Sequence, residues 1–234
     1  MADPFQLPQI DIVNRPTVAD MVFNELQRQV LSLELEPGSK ISEVEVAKQM
    51  GVSRQPVRDA FYRLSKLGFL LVRPQRATVV TLISSKAVMR ARFIRTALEL
   101  ETVRAATKLL TDDDIAALDR IIKEQDEAVI AGDKPAFHRL DDRFHREICT
   151  RAGLDFTWEL IAENKGHMDR VRMLSLSFAS RAAWEDHVKV LNAIKARDVD
   201  AATAAMRSHL GRIKDQIDRI RTDNHNWFAD EDED

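Results

Sequence analysis

Ten residues, LDDRFHREIC at positions 140 to 149, bring three carboxylates, an imidazole and the chain's single thiol into one stretch that reads as helix. Asp141, His145 and Cys149 recur at every fourth position, so they stack along one side with neighbouring side chains about 6 Å apart. The spacing fits ligands of a divalent cation, an acid–base pair, or a charged helix face in water, which is the commonest use of such residues. His187, in AAWEDHVKVLNAI with Trp184, Leu191 and Ile194, and His209, in MRSHLGRI with Met206, Leu210 and Ile213, lie in apolar stripes of two further helices. A lone core-facing imidazole is more often structural than ligating. Three histidines and an Asp on three helices are harder to set aside, because bundles build metal sites from facing helices. Within LDDRFHREIC the register favours Asp141 over Asp142, Cys149 reads as a small buried hydrophobe, and His138, a heptad earlier, reads as a helix-end residue.

A second chemistry lies in the front third. Between positions 40 and 76, Lys40, Lys48, Arg54, Arg58, Arg63, Lys66, Arg73 and Arg76 face only Glu43, Glu45 and Asp59, although the whole chain has a net charge of −3. A basic patch inside an acidic chain points to a polyanion partner. In GVSRQPVRDA, Arg54 and Arg58 stand one turn apart at the start of a helix, the end that a reading helix presents to base edges in the major groove. Arginine can bond guanine O6 and N7 together. Ser53 and Gln55 are placed to reach phosphates, and Arg73 and Arg76, around a hairpin turn, to reach the backbone or minor groove. The competing reading is a basic amphipathic helix with surface arginines.

Local punctuation marks the elements that must hold these groups. Thr17, with Asp20 three residues on, opens a helix reaching about Leu33, with Val18, Met21, Val22, Leu26 and Val30 as its stripe. EPGSK forces a turn. Ser42 and Glu45 form a capping box for a short second helix closed by Gly51, and Ser53 caps a third that runs past Pro56 to Gly68. FLLVR and TVVTLI, separated by PQRA, read as a hairpin, which completes a winged helix-turn-helix. From Ser84 onward the pattern is helical, with six helices expected near 85–109, 112–131, 134–152, 155–175, 181–196 and 198–223. The expected fold class is mainly α. A winged helix-turn-helix DNA-binding domain covers 1–83, with its core at 17–83, and an all-α antiparallel bundle covers 84–223. The acidic tail, 224–234, is expected to be disordered.

Composition sets outer bounds. The chain has 31% charged and 44% hydrophobic residues, no apolar run of about 18 residues and no basic-then-apolar leader, and reads as cytoplasmic, with no membrane partner. One cysteine excludes an internal disulfide.

PGSKISEVEVAKQMGVSRQPVRDAFYRLSKLGFL resembles the DNA-binding domain of the GntR superfamily of bacterial transcription regulators, in its order PG, A, GVSR, PVR, L and G. MRARFIRTALELETVRAAT, FHRLDDRFHREI, EDHVKVLNAI and MRSHL resemble the FadR-type C-terminal domain, abbreviated FCD, in its six-helix metal-binding form. The second resemblance implies that Asp141, His145, His187 and His209 hold one divalent cation per subunit. It also implies that Arg95, with Leu98 and Glu99 in R-x-x-L-E, takes an anionic group of an effector. Three imidazoles and one carboxylate leave two octahedral positions open and suit Zn, Ni, Mn or Fe alike. Those open positions suit a small organic acid as effector, and a homodimer would present two reading helices to a pseudo-palindromic double-stranded DNA operator, as two-fold symmetry requires. Two departures are visible. Ala77 replaces the usual wing Gly, which removes free access to positive φ, and Leu154 replaces a frequent Asn, which loses a cap or effector contact. Arg170 and Arg172, in HMDRVRM, read as solvent-facing, weaker effector partners. The expected function is a metabolite-responsive repressor and not an enzyme. The alternatives are a regulator with a metal-free effector cavity, and a metalloenzyme.

Overall fold

The computed structural model describes residues 16–73 and 76–230, without the side chain of Ser177. It forms two compact units: Lys40–Val79 with the residues up to Arg28, and Gln29–Ser39 with the chain from Val80.

In the first unit, α1 (Val18–Leu31) starts where Thr17 Oγ1 accepts from Asp20 N at 3.1 Å and Asp20 Oδ2 accepts from Thr17 N at 3.0 Å. Ser42 Oγ accepts from Glu45 N at 3.1 Å to open α2 (Glu43–Met50), and Gly51 closes it at φ 66°. Only glycine enters that left-handed region without cost. α3 (Arg54–Lys66) buries Val57, Ala60, Phe61 and Leu64, the i, i+3, i+4, i+7 face of a helix packed on a core. Ser53 stands at its N-cap but makes no side-chain cap bond. Strands β1 (Lys40–Ile41), β2 (Leu70–Leu71) and β3 (Thr78–Val80) form a sheet in the order β1-β3-β2, with Lys40 opposite Val79 and Ile41 opposite Thr78. The expected hairpin is thus widened to three strands. β1, at two residues, is too short to show alternation in sequence.

The second unit packs α4 (Ser85–Leu109), α5 (Asp112–Ala131), α6 (Lys134–Arg151), α7 (Asp155–Asn164), α8 (Gly166–Lys195) and α9 (Val199–Asp223). Side-chain caps fix most of the starts. Ser84 accepts from Ala87 N at 3.1 Å, Thr111 and Asp114 form a reciprocal capping box, Asp133 accepts from Ala136 N at 2.9 Å, and Asp198 accepts from Ala201 N at 2.9 Å. At Leu154 no side chain caps α7. The expected pair 155–175 and 181–196 is corrected: the break falls at Asn164–Gly166, and one helix runs through the serine-rich LSLSFAS. Serines at 175 and 180 bond the carbonyls of Arg172 at 2.9 Å and Leu176 at 2.6 Å, so their hydroxyls are satisfied within the helix instead of ending it.

Leu100, Val103, Leu118, Phe144, Val190 and Met206 belong to an apolar cluster drawn from α4, α5, α6, α8 and α9. Leu118→Ala, at a position with 0% exposure, is expected to cost about 2–5 kcal/mol, read as a lower urea midpoint for the bundle.

Of the tail expected at 224–234, residues 224–230 are described. His225–Trp227 form a 3₁₀ turn and Phe228 is buried at 5% exposure. Ile83 N donates to Trp227 O at 2.8 Å, and Ala229 N donates to Ile83 O at 3.0 Å. Residues 231–234 lie outside the described residues. Close by in sequence, Thr81 O accepts from Arg170 Nη2 at 2.6 Å, while Arg170 Nε and Nη1 are buried without a protein partner. Among the described residues, no helix is long and apolar enough to cross a membrane.

Candidate functional site

Asp141 and His145 lie on the buried face of α6, between Phe137, Phe144 and Ile148. His187 comes from α8 and His209 from α9. One ligand atom from each of these four residues lies within 4.8 Å of the other three. His187 Nε2 is 3.3 Å from His209 Nε2 and 3.6 Å from Asp141 Oδ1, and His145 Nε2 is 3.8 Å from Asp141 Oδ2. The other ring nitrogens point to other partners. His187 Nδ1 lies 2.9 Å from Gln125 Oε1, whose Nε2 donates to Leu140 O at 3.0 Å, and His145 Nδ1 lies 2.5 Å from Glu99 Oε2. His209 Nδ1 is 3.8 Å from Asp186 Oδ2, beyond hydrogen-bond length. Partners on the far nitrogen orient an imidazole and set which nitrogen is left for a cation.

The electrostatics suit ligation. Burial, before any neighbouring charge, holds His187 and His209 below the usual imidazole range, so their lone pairs are unprotonated near neutral pH. Burial works to raise Asp141, but the Arg172 guanidinium, first among its neighbours, holds it well below the usual carboxylate range. Glu99 is held low in the same way against burial, first by Arg95 and then by His145. His145 Nε2 is buried without a hydrogen-bond partner. An unpaired buried acceptor among two more imidazoles and a carboxylate is a nitrogen–oxygen donor set that fits a first-row divalent cation. The same four residues hold no thiolate: Cys149 is outside the cluster, with burial pushing its thiol up to about 11.

Beside the four residues is a cavity of about 60 Å³, whose walls include Arg95, Asp141, Arg172, His209 and Arg212. Arg95 is 2% exposed, donates through Nε to Glu99 and leaves Nη2 buried and unpartnered. Arg172 bonds Asp141 Oδ2 and lies 3.0 Å from Asp169 Oδ1 and 3.4 Å from Asp142 Oδ1. Asp142 instead pairs with the buried Lys165 at 2.7 Å. Of the weaker effector candidates Arg170 and Arg172, neither takes the solvent-facing alternative. Both are inside, Arg172 on the cavity wall and Arg170 against Thr81. Sequence reasoning missed Gln125 and Asp186 as well. Asp186 had a signal in its adjacency to His187, whereas Gln125, sixty-two positions away from that histidine, had none.

In the first unit, Ser53, Arg54, Gln55 and Arg58 are all exposed at the start of α3. Arg54 Nη2 and Arg58 Nε approach one oxygen of Glu43 on α2, at 3.3 and 3.6 Å, and Gln55 Nε2 donates to Asp59 at 3.0 Å. Arg73 and Arg76 are exposed on either side of residues 74–75, which lie outside the described residues.

A helix-turn-helix with basic residues leading its third helix, on a chain continuing into an all-α bundle, defines a helix-turn-helix DNA-binding protein. The model "Bacterial regulatory proteins, gntR family" matches residues 18–80, and the "FCD domain" model matches 91–212. The HTH-type transcriptional repressor RspR of Escherichia coli (strain K12) is 33% identical over 216 residues, 92% of this chain and 95% of that protein. The uncharacterized HTH-type transcriptional regulator YdfH of Escherichia coli O6:H1 is 34% identical over 218 residues, 92% of this chain and 96% of that one. A solved structure of E. coli McbR/YncC shares the fold, with a TM-score of 0.73 at 24% identity over 88% of this chain and 98% of that chain. The chain belongs to the GntR family of bacterial transcription regulators and carries an FCD domain behind its DNA-binding domain. The family consists of regulators, not enzymes.

Proposed function

We propose that this regulator is a metabolite-responsive repressor. It binds a pseudo-palindromic operator as a homodimer through Ser53, Arg54, Gln55 and Arg58, with Arg73 and Arg76 at the wing. One divalent cation per subunit is held by Asp141, His145, His187 and His209 in the domain spanning 84–223. The observation that carries this reading is the convergence of those four ligand atoms within 4.8 Å of one another, beside a cavity walled by arginines. A bound cation would supply Lewis acidity and open coordination positions for a carboxylate. The chain's own part is to orient the imidazoles through Glu99 and Gln125 and to offer Arg95 Nη2 to the effector's anionic group. Effector binding changes operator affinity only to the extent that it favours one arrangement of the protein over another.

The test is operator titration at fixed salt, with and without carboxylic acids, on metal-loaded and chelator-treated protein. A carboxylate response present only with metal supports the reading, and operator affinity indifferent to both metal and acids sinks it. Arg95→Ala is expected to weaken the carboxylate response by about tenfold or more; because it also strips Glu99, the partner of His145, of its cation, metal retention is measured on the same sample. A second reading, a metal-free effector cavity, draws support from Arg172, which already neutralises Asp141. Elemental analysis of the purified chain separates the two.

A further inference from the structure

The cavity beside the four converging residues holds about 60 Å³, and a neighbouring groove about 240 Å³. Each is smaller than the roughly 300 Å³ at which small-molecule sites usually begin. The two spaces share three walls: Phe137 of α6, and Leu176 and Ser180 of α8. Phe137 and Leu176 are 2% and 6% exposed, and with Ala128 of α5 they form a small apolar cluster of their own, against which Val129 packs.

The burial of the charged groups changes across that partition. On the cavity side stand Arg95, Arg172, Arg212 and His209. On the groove side the wall continues as Ala128, Val129 and Phe178, and the charged residues there, Asp133, Lys134 and Arg181, are exposed. Arg181 is already paired with Asp126 at 2.8 Å. A carboxylate fits the first space. In the second, methylenes laid against Ala128, Phe137 and Leu176 would gain from leaving water.

We propose that cavity and groove are the two ends of one ligand site, and that the effector is a carboxylic acid with an apolar tail, its head at the arginines and ligating residues and its tail in the groove. This rests on the reading of the Asp141–His209 site given above. The tail passes between the spaces along Phe137, Leu176 and Ser180, the residues that both share.

The test is calorimetric titration of acetate, butyrate, hexanoate and octanoate into the full chain loaded with Zn²⁺, with metal retention checked on the same sample. The expected result is a Kd that falls by about fourfold per added methylene until the groove is filled. Val129→Trp, which fills the groove from α5 and leaves the ligating residues and arginines untouched, is expected to remove that gain while the acetate Kd stays within about twofold. Acetate binding with no gain from the longer acids overturns the tailed effector and leaves the head reading intact. Loss of Zn²⁺, or no binding by any acid, overturns the head reading itself. A gain that survives Val129→Trp places the tail elsewhere and overturns the groove assignment. The native chain alone decides whether a tail is accepted, so the proposal stays exposed to refutation even if the variant does not fold.

Discussion

His187→Ala is expected to lower metal affinity by more than about 100-fold, so that protein purified without chelator, carrying a divalent ion in native form, retains almost none. The imidazole is central to the cluster. Its Nε2 faces both His209 and Asp141, at 3.3 and 3.6 Å, and its Nδ1 is held by Gln125 at 2.9 Å. Removing it takes away one donor and unties two others, and alanine offers the site nothing in return. Gln125→Leu is the graded companion. It leaves Asp141, His145, His187 and His209 in place but releases the ring's orientation, for which a loss of about 10- to 100-fold is expected. Metal content by elemental analysis reads both variants, and circular dichroism confirms that the helices persist. Equal metal in native protein and both variants would remove the four-residue site. A native protein without any divalent metal, yet still responsive to carboxylates, would transfer the imidazoles to direct effector contact.

Arg54→Ala and Arg58→Ala are each expected to cost about 1–3 kcal/mol of discrimination between operator and unrelated DNA, which is roughly five- to more than 100-fold. Affinity for unrelated DNA should fall less, by about what one lost phosphate neighbour costs in the salt dependence. Both guanidiniums are more than half exposed, at 59% and 58%, and both lean on Glu43. Ion pairs this exposed contribute little to stability, so folding is expected to survive either change and the binding data can be read directly. A competition titration at stated salt checks this. Specificity left unchanged in both variants would move the reading role away from the start of α3.

Much of the fold could be read from the sequence because its boundaries are written in capping chemistry. Thr111 with Asp114, Asp133 with Pro135, and Asp198 each place a helix start within a residue of where it is found. Where the reading failed, the signal was of another kind. The break expected between 175 and 181 falls inside α8, where Ser175 and Ser180 satisfy themselves on helical carbonyls, and the actual break lies at Lys165, where no side-chain cap marks it. The four converging residues came out by residue type and family resemblance. Their supports did not, because Gln125 and Arg172 reach the cluster across long stretches of chain that periodicity cannot join. Arg172 also illustrates a default that misleads: basic residues are placed outside unless a partner is known, and its partners Asp141, Asp142 and Asp169 become visible only on folding.

Arg170 has a consequence for how the protein breathes. It is a fully buried guanidinium, with burial lowering its pKa to about 10, and its bond to Thr81 O is not matched by partners for Nε and Nη1. Burying a charge with so few acceptors costs several kcal/mol, and that cost is recovered whenever water reaches the group. Hydration therefore offsets part of the work of opening this corner. The Ile83 amide, bonded to Trp227 O, should exchange its hydrogen well before the amides around Leu118 and Phe144, and Arg170→Met should slow that exchange selectively.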